Sequence, residues 1–335
     1  MDISNLEKYD CQGMYKIYDC WPDIANNSYH LNHKKIEKYD IEHIVFCGMG
    51  GSGAIGDIFE SIFSKTKIHV SVVKGYLMPK TVNTKSLIII TSISGNTEEA
   101  LTVLEEARKI NCKIIVLSSG GKIEKLCKKY NLDYRKLPQD HSPRGSFARF
   151  LFSILKILDN LIPISESDVE ESILELKKLQ EQISTSNLSD SNPALELANW
   201  LEGIPLIYYP AGLNSAAIRF KNSLQENCKL HVITEDVIEA CHNGIVSWEK
   251  QSIVKPILLQ GKDDFEKTKE RWEIVKEYFN EKHIEYREIF SIEGNILSKL
   301  INLIYLLDYV TIYYAALNKI DPTTVDSINF IKERL

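Results

Sequence analysis

The sequence predicts an α/β protein with two tandem, doubly wound parallel-sheet domains and a C-terminal helical tail. In the first half, short apolar runs typical of buried strands alternate with segments of helical periodicity. A strand-turn-helix pattern then begins again near residue 206, after a polar, Ser/Asn-rich run at 184–193. The length of 335 residues is enough for two separate cores.

Composition excludes several classes of protein. The net charge of −6 argues against general affinity for nucleic acid or anionic membrane. Seven scattered cysteines, an odd number, indicate reduced thiols in a cytoplasmic protein. We find no signal peptide and no apolar run of the ~20 residues that a membrane span needs. The only close histidine pair is His30 and His33 in a polar segment, so no metal site is predicted.

The predicted elements follow from hydrophobic pattern, in chain order. Residues 1–42 are a charged and aromatic arm, expected to pack on the first domain. Domain boundaries are predicted at 1–164, 165–193 (helix and linker) and 194–335. Strands are predicted at 43–47, 68–73, 86–91, 113–117, 133–137, 256–259 and 286–290. Helices are predicted at 53–64, 97–110, 122–130, 150–161, 264–280 and 296–317, with a final helix after Pro322.

A glycine-rich turn follows the first predicted strand. Glycines allow the backbone to approach an anion, and the amides and positive dipole end of the next helix then face it. The spacing Gly48-x-Gly50-x-x-Gly53 also fits a dinucleotide fingerprint. That interpretation requires an acidic residue at the end of the next strand to bind a ribose, and Lys74 stands there instead. An NAD-dependent dehydrogenase is therefore disfavoured.

A second turn, after the strand at 86–91, carries three hydroxyls: Ser92, Ser94 and Thr97. Hydroxyls at a strand-to-helix turn suit the three oxygens of a phosphate monoester. An ordinary helix cap, with acids in the first turn, explains this turn equally well when it is taken alone. Together with the glycine turn it favours a sugar-phosphate site over a nucleotide site.

The second half partly repeats the first. The run 206–218 echoes 44–55, with Gly212 matching Gly50, which indicates an internal duplication. The second copy lacks the Gly-Gly-Ser-Gly and the hydroxyl cluster, so we expect a partner scaffold and not a second phosphate site. Taken singly, Arg144 is more often a surface ion pair, Glu226 an exposed helix-end carboxylate, and His242 structural.

These residues together resemble the bifunctional phosphoglucose/phosphomannose isomerases, built from two sugar-isomerase (SIS) domains, over nearly the whole chain. The glycine and hydroxyl turns mark SIS domains in general. The order Arg, Glu, His, C-terminal Lys is more specific to the isomerase. The matching segments are Gly48–Gly53, Ser92–Glu99, Pro143-Arg144, Glu226–Lys229, His242-Asn243 and the tail from Asp321 to Lys332.

The resemblance implies an aldose–ketose isomerase acting on hexose 6-phosphates without a cofactor or metal. It implies that Glu226 shuttles a proton between C1 and C2, that Arg144 stabilises the enediolate, and that His242 and Lys332 serve ring opening. In the family the histidine comes from the neighbouring subunit, which implies a homodimer with a shared active site. The implied ligands of the 6-phosphate are Ser52, Ser92, Ser94, Thr97 and the amides of Gly50 and Gly51.

Several points stay open from the sequence. Gly244 follows His-Asn where the family usually has Glu, and Gln225 precedes Glu226 where Asn is usual. Thr324 is the candidate for the threonine that admits mannose 6-phosphate, and Lys319 is the alternative to Lys332. A non-catalytic sugar-phosphate sensor is the alternative function, because SIS domains also serve as regulatory modules. A sensor, however, has no use for Glu226, His242 and Lys332 together.

Overall fold

A computed structural model of the chain describes residues 1–37 and 40–334. Residues 38, 39 and 335, which belong to the predicted arm and tail, lie outside the described residues. The chain forms two compact units, which are described separately: an N-terminal unit, Cys20–Leu174, and a C-terminal unit, Met1–Asp19 with Glu175–Leu335. Three helices precede the first strand: α1 (Ile3–Tyr9), α2 (Met14–Asp19) and α3 (Trp21–His30).

The N-terminal unit contains a five-stranded parallel sheet with strand order β2-β1-β3-β4-β5. Every residue of β1 and β3 is buried, as expected for strands covered on both faces. The strands are β1 (His43–Cys47), β2 (His69–Val73), β3 (Ser86–Thr91), β4 (Lys113–Ser118) and β5 (Asp133–Lys136). The helices that follow α3 are α4 (Gly51–Phe63), α5 (Glu98–Ala107), α6 (Gly121–Tyr130) and α7 (Phe147–Ile157).

The C-terminal unit contains a four-stranded parallel sheet with strand order β7-β6-β8-β9. Its strands are β6 (Ile204–Tyr209), β7 (Ile233–Asp236), β8 (Val254–Gln260) and β9 (Arg287–Phe290). The boundary between the units falls inside α8 (Glu166–Ile183). The later helices are α9 (Pro193–Trp200), α10 (Asn214–Cys228), α11 (Val237–Ala240), a 3₁₀ helix (Gly244–Glu249), α12 (Glu266–Glu281), α13 (Ile296–Leu317) and α14 (Asp326–Lys332).

The strand orders confirm the predicted fold class and duplication. If β6 is matched to β1, β7 to β2, β8 to β3 and β9 to β4, the four strands of the second sheet have the same neighbours as in the first. In both units the chain therefore reverses direction across the sheet beside the first strand, the place where open α/β sheets bind ligands.

Three predicted features are wrong. Residues 1–19 pack in the C-terminal unit, where the Tyr305 hydroxyl donates to the carbonyl of Tyr18 at 2.8 Å. The segment 184–193 is not a loose linker, because Asn192 is fully buried and caps α9 through the amides of Ala194 and Leu195. Strand β7 is missing from the strands that the sequence predicted.

The apolar residues of the last helix do not form a buried stripe. Val325, Ile328 and Ile331 repeat at helical spacing, but no residue of α14 is buried, and Ile331 is 60% exposed. The periodicity gives α14 an apolar face, but none of the described residues of the C-terminal unit covers that face.

The sequence was expected to contain no apolar run long enough to span a membrane, and helix α13 differs from that expectation. Among the described residues it is the one helix long and apolar enough to cross a membrane by length and composition. Of its most apolar window, 89% is buried inside the structure, as is typical of a core helix. It packs against α1, α9 and α10.

Candidate active site

The glycine turn lies at the carboxyl edge of the first sheet, between β1 and α4. Gly50 has φ 54° and ψ −123°, a conformation that only glycine adopts without strain, and α4 begins at the next residue. The Ser52 side chain lies in the first turn of α4, and only 9% of the residue is exposed. Amides in a first helical turn have no partner inside the helix, so this turn is suited to an anion.

Lys74, just after β2, lies against the glycine turn, a contact that the sequence did not reveal. A Cβ on Gly53 would lie 3.2 Å from Lys74 Cε and 2.7 Å from the Gly48 carbonyl oxygen. The stem of Lys74 therefore lies against the turn, and its ammonium pairs with Asp57 of α4 at 2.6 Å. A dinucleotide site needs an acidic residue at the end of this strand, and this chain has Lys74 there, beside the glycine turn.

The hydroxyl turn lies at the same edge, because β1 and β3 are parallel neighbours with Cys47 opposite Ile90. The Ser92 hydroxyl, in a residue only 2% exposed, donates to Thr97 Oγ1 at 3.0 Å. Thr97 is the N-cap of α5 and makes no side-chain cap bond, so its hydroxyl is not used to close the helix. The Ser94 Oγ accepts a hydrogen bond from the Asn96 amide at 3.4 Å.

The turn after β4 holds the hydroxyl turn in place. The carbonyl of Ile93 accepts bonds from the Ser119 amide at 3.0 Å and the Ser119 hydroxyl at 2.7 Å. Gly95 has φ 70°, and a Cβ there would lie 1.8 Å from the carbonyl oxygen of Gly120. The two turns are thus in backbone contact, and the three hydroxyls are presented by a rigid support.

Arg144 is not a surface residue. It is 5% exposed and lies in the turn between β5 and α7. Asp140 at the start of this turn accepts a bidentate pair from Arg149, at 2.7 and 2.6 Å, and Ser146 bonds back to the Asp140 backbone. The burial of Arg144 contradicts the expected surface position, and a buried guanidinium needs anionic or polar partners.

Glu226 lies in the last turn of α10 and is partly buried. The rotation of this helix is fixed by buried polar contacts with α13. Arg219 pairs with Asp308 at 2.7 Å, with side-chain exposures of 3% and 0%, and Asn227 Nδ2 donates to Thr311 Oγ1 at 2.8 Å. Burial opposes the charge of Arg219, but the Asp308 carboxylate raises its pKa above the ordinary value.

His242 is exposed and lies in the turn between α11 and the 3₁₀ helix, its backbone amide bonded to the Glu239 carbonyl at 2.9 Å. Asn243 fixes this turn, because its Oδ1 accepts from the Gly244 amide and its Nδ2 donates to Glu239 Oε1 at 2.7 Å. A Cβ on Gly244 would lie 2.4 Å from Glu235 Oε1, so the missing side chain makes room for that carboxylate. Burial and the nearby Glu239 raise the pKa of Glu235.

The tail residues lie beyond α13. Lys319 has φ 61° in the turn that ends α13, and Lys332 is exposed at the end of α14. The carbonyl of Thr324 accepts a hydrogen bond from Lys229 Nζ at 2.8 Å, and the carbonyl of Glu226 accepts from the same ammonium at 2.6 Å. The C-terminal unit thus brings Thr324 close to Glu226.

His30 does not pair with His33. Its Nε2 lies 2.9 Å from Glu170 Oε1, and with Glu166 these side chains form an exposed group whose ligand atoms lie within 4.8 Å of one another. His33 is partly buried, and burial lowers its pKa. Exposed groups of this kind are common as simple ion pairs.

The fold and the two turns define a protein of two SIS domains, and comparison with known proteins supports this class. The model for the SIS domain matches residues 39–149, and the model described as the bacterial phospho-glucose isomerase C-terminal SIS domain matches residues 190–335. The chain belongs to the bifunctional phosphoglucose/phosphomannose isomerase family. It is 31% identical to the member from Caldicellulosiruptor bescii, covering 96% of this chain and 95% of the relative.

Two further comparisons agree. The family member from Aquifex aeolicus is 30% identical over 97% of this chain and 96% of its own length. Among solved structures, a hypothetical protein from Thermus thermophilus matches with a TM-score of 0.73 at 14% identity, covering 96% of this chain and 89% of that one. At that identity the likeness concerns the fold alone.

Proposed function

We propose that the protein is an aldose–ketose isomerase that interconverts fructose 6-phosphate with glucose 6-phosphate and mannose 6-phosphate through a cis-enediolate. The observation that carries this proposal is Glu226, a partly buried carboxylate on a helix whose rotation is fixed by a buried ion pair. A phosphate-binding module alone has no use for a carboxylate held in this way. Membership of the isomerase family supports the assignment.

The 6-phosphate binds at the carboxyl edge of the first sheet. The hydroxyls of Ser52, Ser92, Ser94 and Thr97 and the amides of Gly50 and Gly51 supply neutral donors. With a net charge of −6, the protein has to hold a phosphate by such local donors rather than by a basic surface. Lys74 adds one cation beside the turn.

In the chemical step Glu226 removes the proton from the carbon next to the carbonyl and returns it to the neighbouring carbon. The carbon acid is weak, so the developing oxyanion needs a fixed cation in a site that excludes water, and Arg144 supplies it. Rotation about C2–C3 presents the other face of the enediolate to Glu226, which gives the second aldose. The mechanism as proposed uses no metal or cofactor.

His242 and Lys332 serve ring opening, with Lys319 as the alternative lysine, and Thr324 makes room for mannose 6-phosphate. We expect a homodimer in which His242 completes the site of the neighbouring subunit, which accords with its exposure in one chain. We also expect a cytoplasmic protein, since all seven cysteines are free thiols.

A coupled assay with fructose 6-phosphate and a chelator tests the proposal. Formation of both glucose 6-phosphate and mannose 6-phosphate is expected. If only glucose 6-phosphate forms, mannose 6-phosphate is not a substrate and the role proposed for Thr324 is wrong, but the enediolate mechanism with Glu226 still holds. If neither product forms and fructose 6-phosphate still raises the melting temperature, the protein is a sugar-phosphate sensor and the proposal fails.

A further inference from the structure

Lys229 occupies an unusual place in the C-terminal unit. It ends α10 in the left-handed conformation, with φ 59° and ψ 27°. That conformation at a helix end is usually taken by glycine, because a Cβ is disfavoured there. Glycine would relieve the backbone of this turn, but His283 and Lys319 also take this conformation, so any role of Lys229 has to come from the contacts of its side chain.

The Lys229 ammonium joins two segments that are distant in sequence. It donates to the carbonyl of Glu226 at 2.6 Å, within α10, and to the carbonyls of Thr324 at 2.8 Å and Asp321 at 3.3 Å. An ammonium has three donors, and three carbonyl oxygens match that number. It also lies at the C-terminal end of α10, where the helix dipole favours a cation.

Helix α14 itself adds no buried side chain that would hold the tail in place. No described residue of α14 is buried, and its N-cap residue Val325 makes no side-chain cap bond. Pro322 is buried, and the Thr323 amide bonds to Asp321 Oδ1 at 2.8 Å, so the turn itself has a defined shape. The bonds from Lys229 join this turn directly to the end of α10, in addition to the packing of α13 against α10.

We propose that Lys229 is a positioning residue that fastens the turn 321–324 to the backbone of Glu226. It thereby sets where the backbone of Thr324 lies relative to the end of α10 and where α14, which carries Lys332, begins. This inference rests on the proposed function for its catalytic consequence. Its structural part, the fastening of the tail, is independent of any activity.

Lys229→Gly separates the two roles of this residue. Glycine relieves the left-handed backbone and removes the exposed side chain together with its ammonium, so we expect a melting temperature unchanged or raised. Amide hydrogen exchange across 325–332 should become at least about tenfold faster, because the tail loses its fastening. The kcat should fall by about tenfold or more through misplacement of the tail groups, with a smaller change in KM. Lys229→Arg should restore part of both.

His283→Gly is the matched control, since His283 is an exposed left-handed residue (φ 55°) just after α12 in the same unit. It should leave tail exchange and kcat unchanged. Unaltered tail exchange in Lys229→Gly would overturn the fastening whether or not the protein is an isomerase. Faster exchange with wild-type kcat and KM would overturn the positioning role. An inactive wild-type protein would contradict the proposed function, while the exchange measurement would still decide the fastening.

Discussion

The two units share one strand order but use it differently. In the N-terminal unit the candidate groups lie where strands lead into helices, at the turns that begin α4 and α5. In the C-terminal unit the turn between β6 and α10 keeps a left-handed Gly212 (φ 95°) but carries no comparable set of donors, and Glu226 lies at the far end of the helix. Under the proposed function, the same scaffold carries the phosphate-binding turns in one copy and the base in the other, so the two copies would differ in their turns and helix ends and not in their sheets.

The matched helices are also held differently. Helix α10 is fixed by a fully buried ion pair, whereas the Lys74–Asp57 pair of α4 is 38% exposed on the lysine side. Asp308→Asn should cost about 3–5 kcal/mol of unfolding free energy, because Arg219 is left buried without its counter-ion. Lys74→Met should cost less, about 1–3 kcal/mol, because Asp57 is buried but water reaches the pair from the lysine side. Urea unfolding measures both.

A compensating pair distinguishes charge burial from packing. Arg219→Met with Asp308→Leu should recover most of the stability lost in Asp308→Asn, since well-packed apolar residues often replace a buried pair without cost. A double variant no more stable than the single one would mean that shape, not charge, holds α10 on α13.

A single added Cβ should disrupt the hydroxyl turn that follows β3. Gly95→Ala adds a Cβ 1.8 Å from the Gly120 carbonyl oxygen at a φ of 70°, so the two supporting turns must separate. We expect a loss of about 2–4 kcal/mol and weaker phosphate binding. Gly75→Ala is the control, because a Cβ there meets nothing within 4 Å. Equal behaviour of the two variants by thermal melting would contradict the proposed contact.

Hydroxyl side chains can be removed from each unit in turn to test which unit binds the phosphate. Ser94→Ala with Thr97→Ala should weaken fructose 6-phosphate binding by about 10- to 100-fold, measured by calorimetry, at little cost in stability. Ser215 occupies the position in α10 that matches Gly53, is fully buried, and has no hydrogen-bond partner among the described residues. Ser215→Ala should leave affinity unchanged. Loss of affinity there would place phosphate in the second copy.

The smallest effect is expected at Gly244. Gly244→Ala places a Cβ 2.4 Å from Glu235 Oε1, a side-chain end that can move aside. We expect kcat to fall by roughly two- to fivefold through a shift of His242, with phosphate affinity unchanged. An unchanged kcat would indicate that the turn tolerates the side chain.

The sequence was most informative where side chains are buried on both faces. The predicted first five strands agree with the structure to within a residue at each end, and for β1, β3 and β4 the reason is that continuous apolar runs fix their position. Strand β7 was missed: Ile233-Thr234-Glu235-Asp236 is short, polar and at the sheet edge, so it has no apolar run that would mark it as a strand. The periodicity of α14 showed a face but could not show whether anything covers it.

The long-range contacts that hold the candidate residues in place could not be predicted from the sequence. Arg219 and Asp308 are 89 residues apart, and Lys229 reaches Thr324 across 95 residues, so no local pattern links them. Each looks like an ordinary charged helix residue until the fold brings its partner close. The candidate residues could be named from motifs, but what holds them could not.

Glu226→Gln is the decisive variant. It keeps the size of the side chain and removes the base, so conversion of fructose 6-phosphate should fall at least ~10²-fold while calorimetric affinity for fructose 6-phosphate stays near that of the wild type. Glu277→Gln, an exposed carboxylate on α12, should behave as wild type. Wild-type turnover in Glu226→Gln would contradict the role given to Glu226.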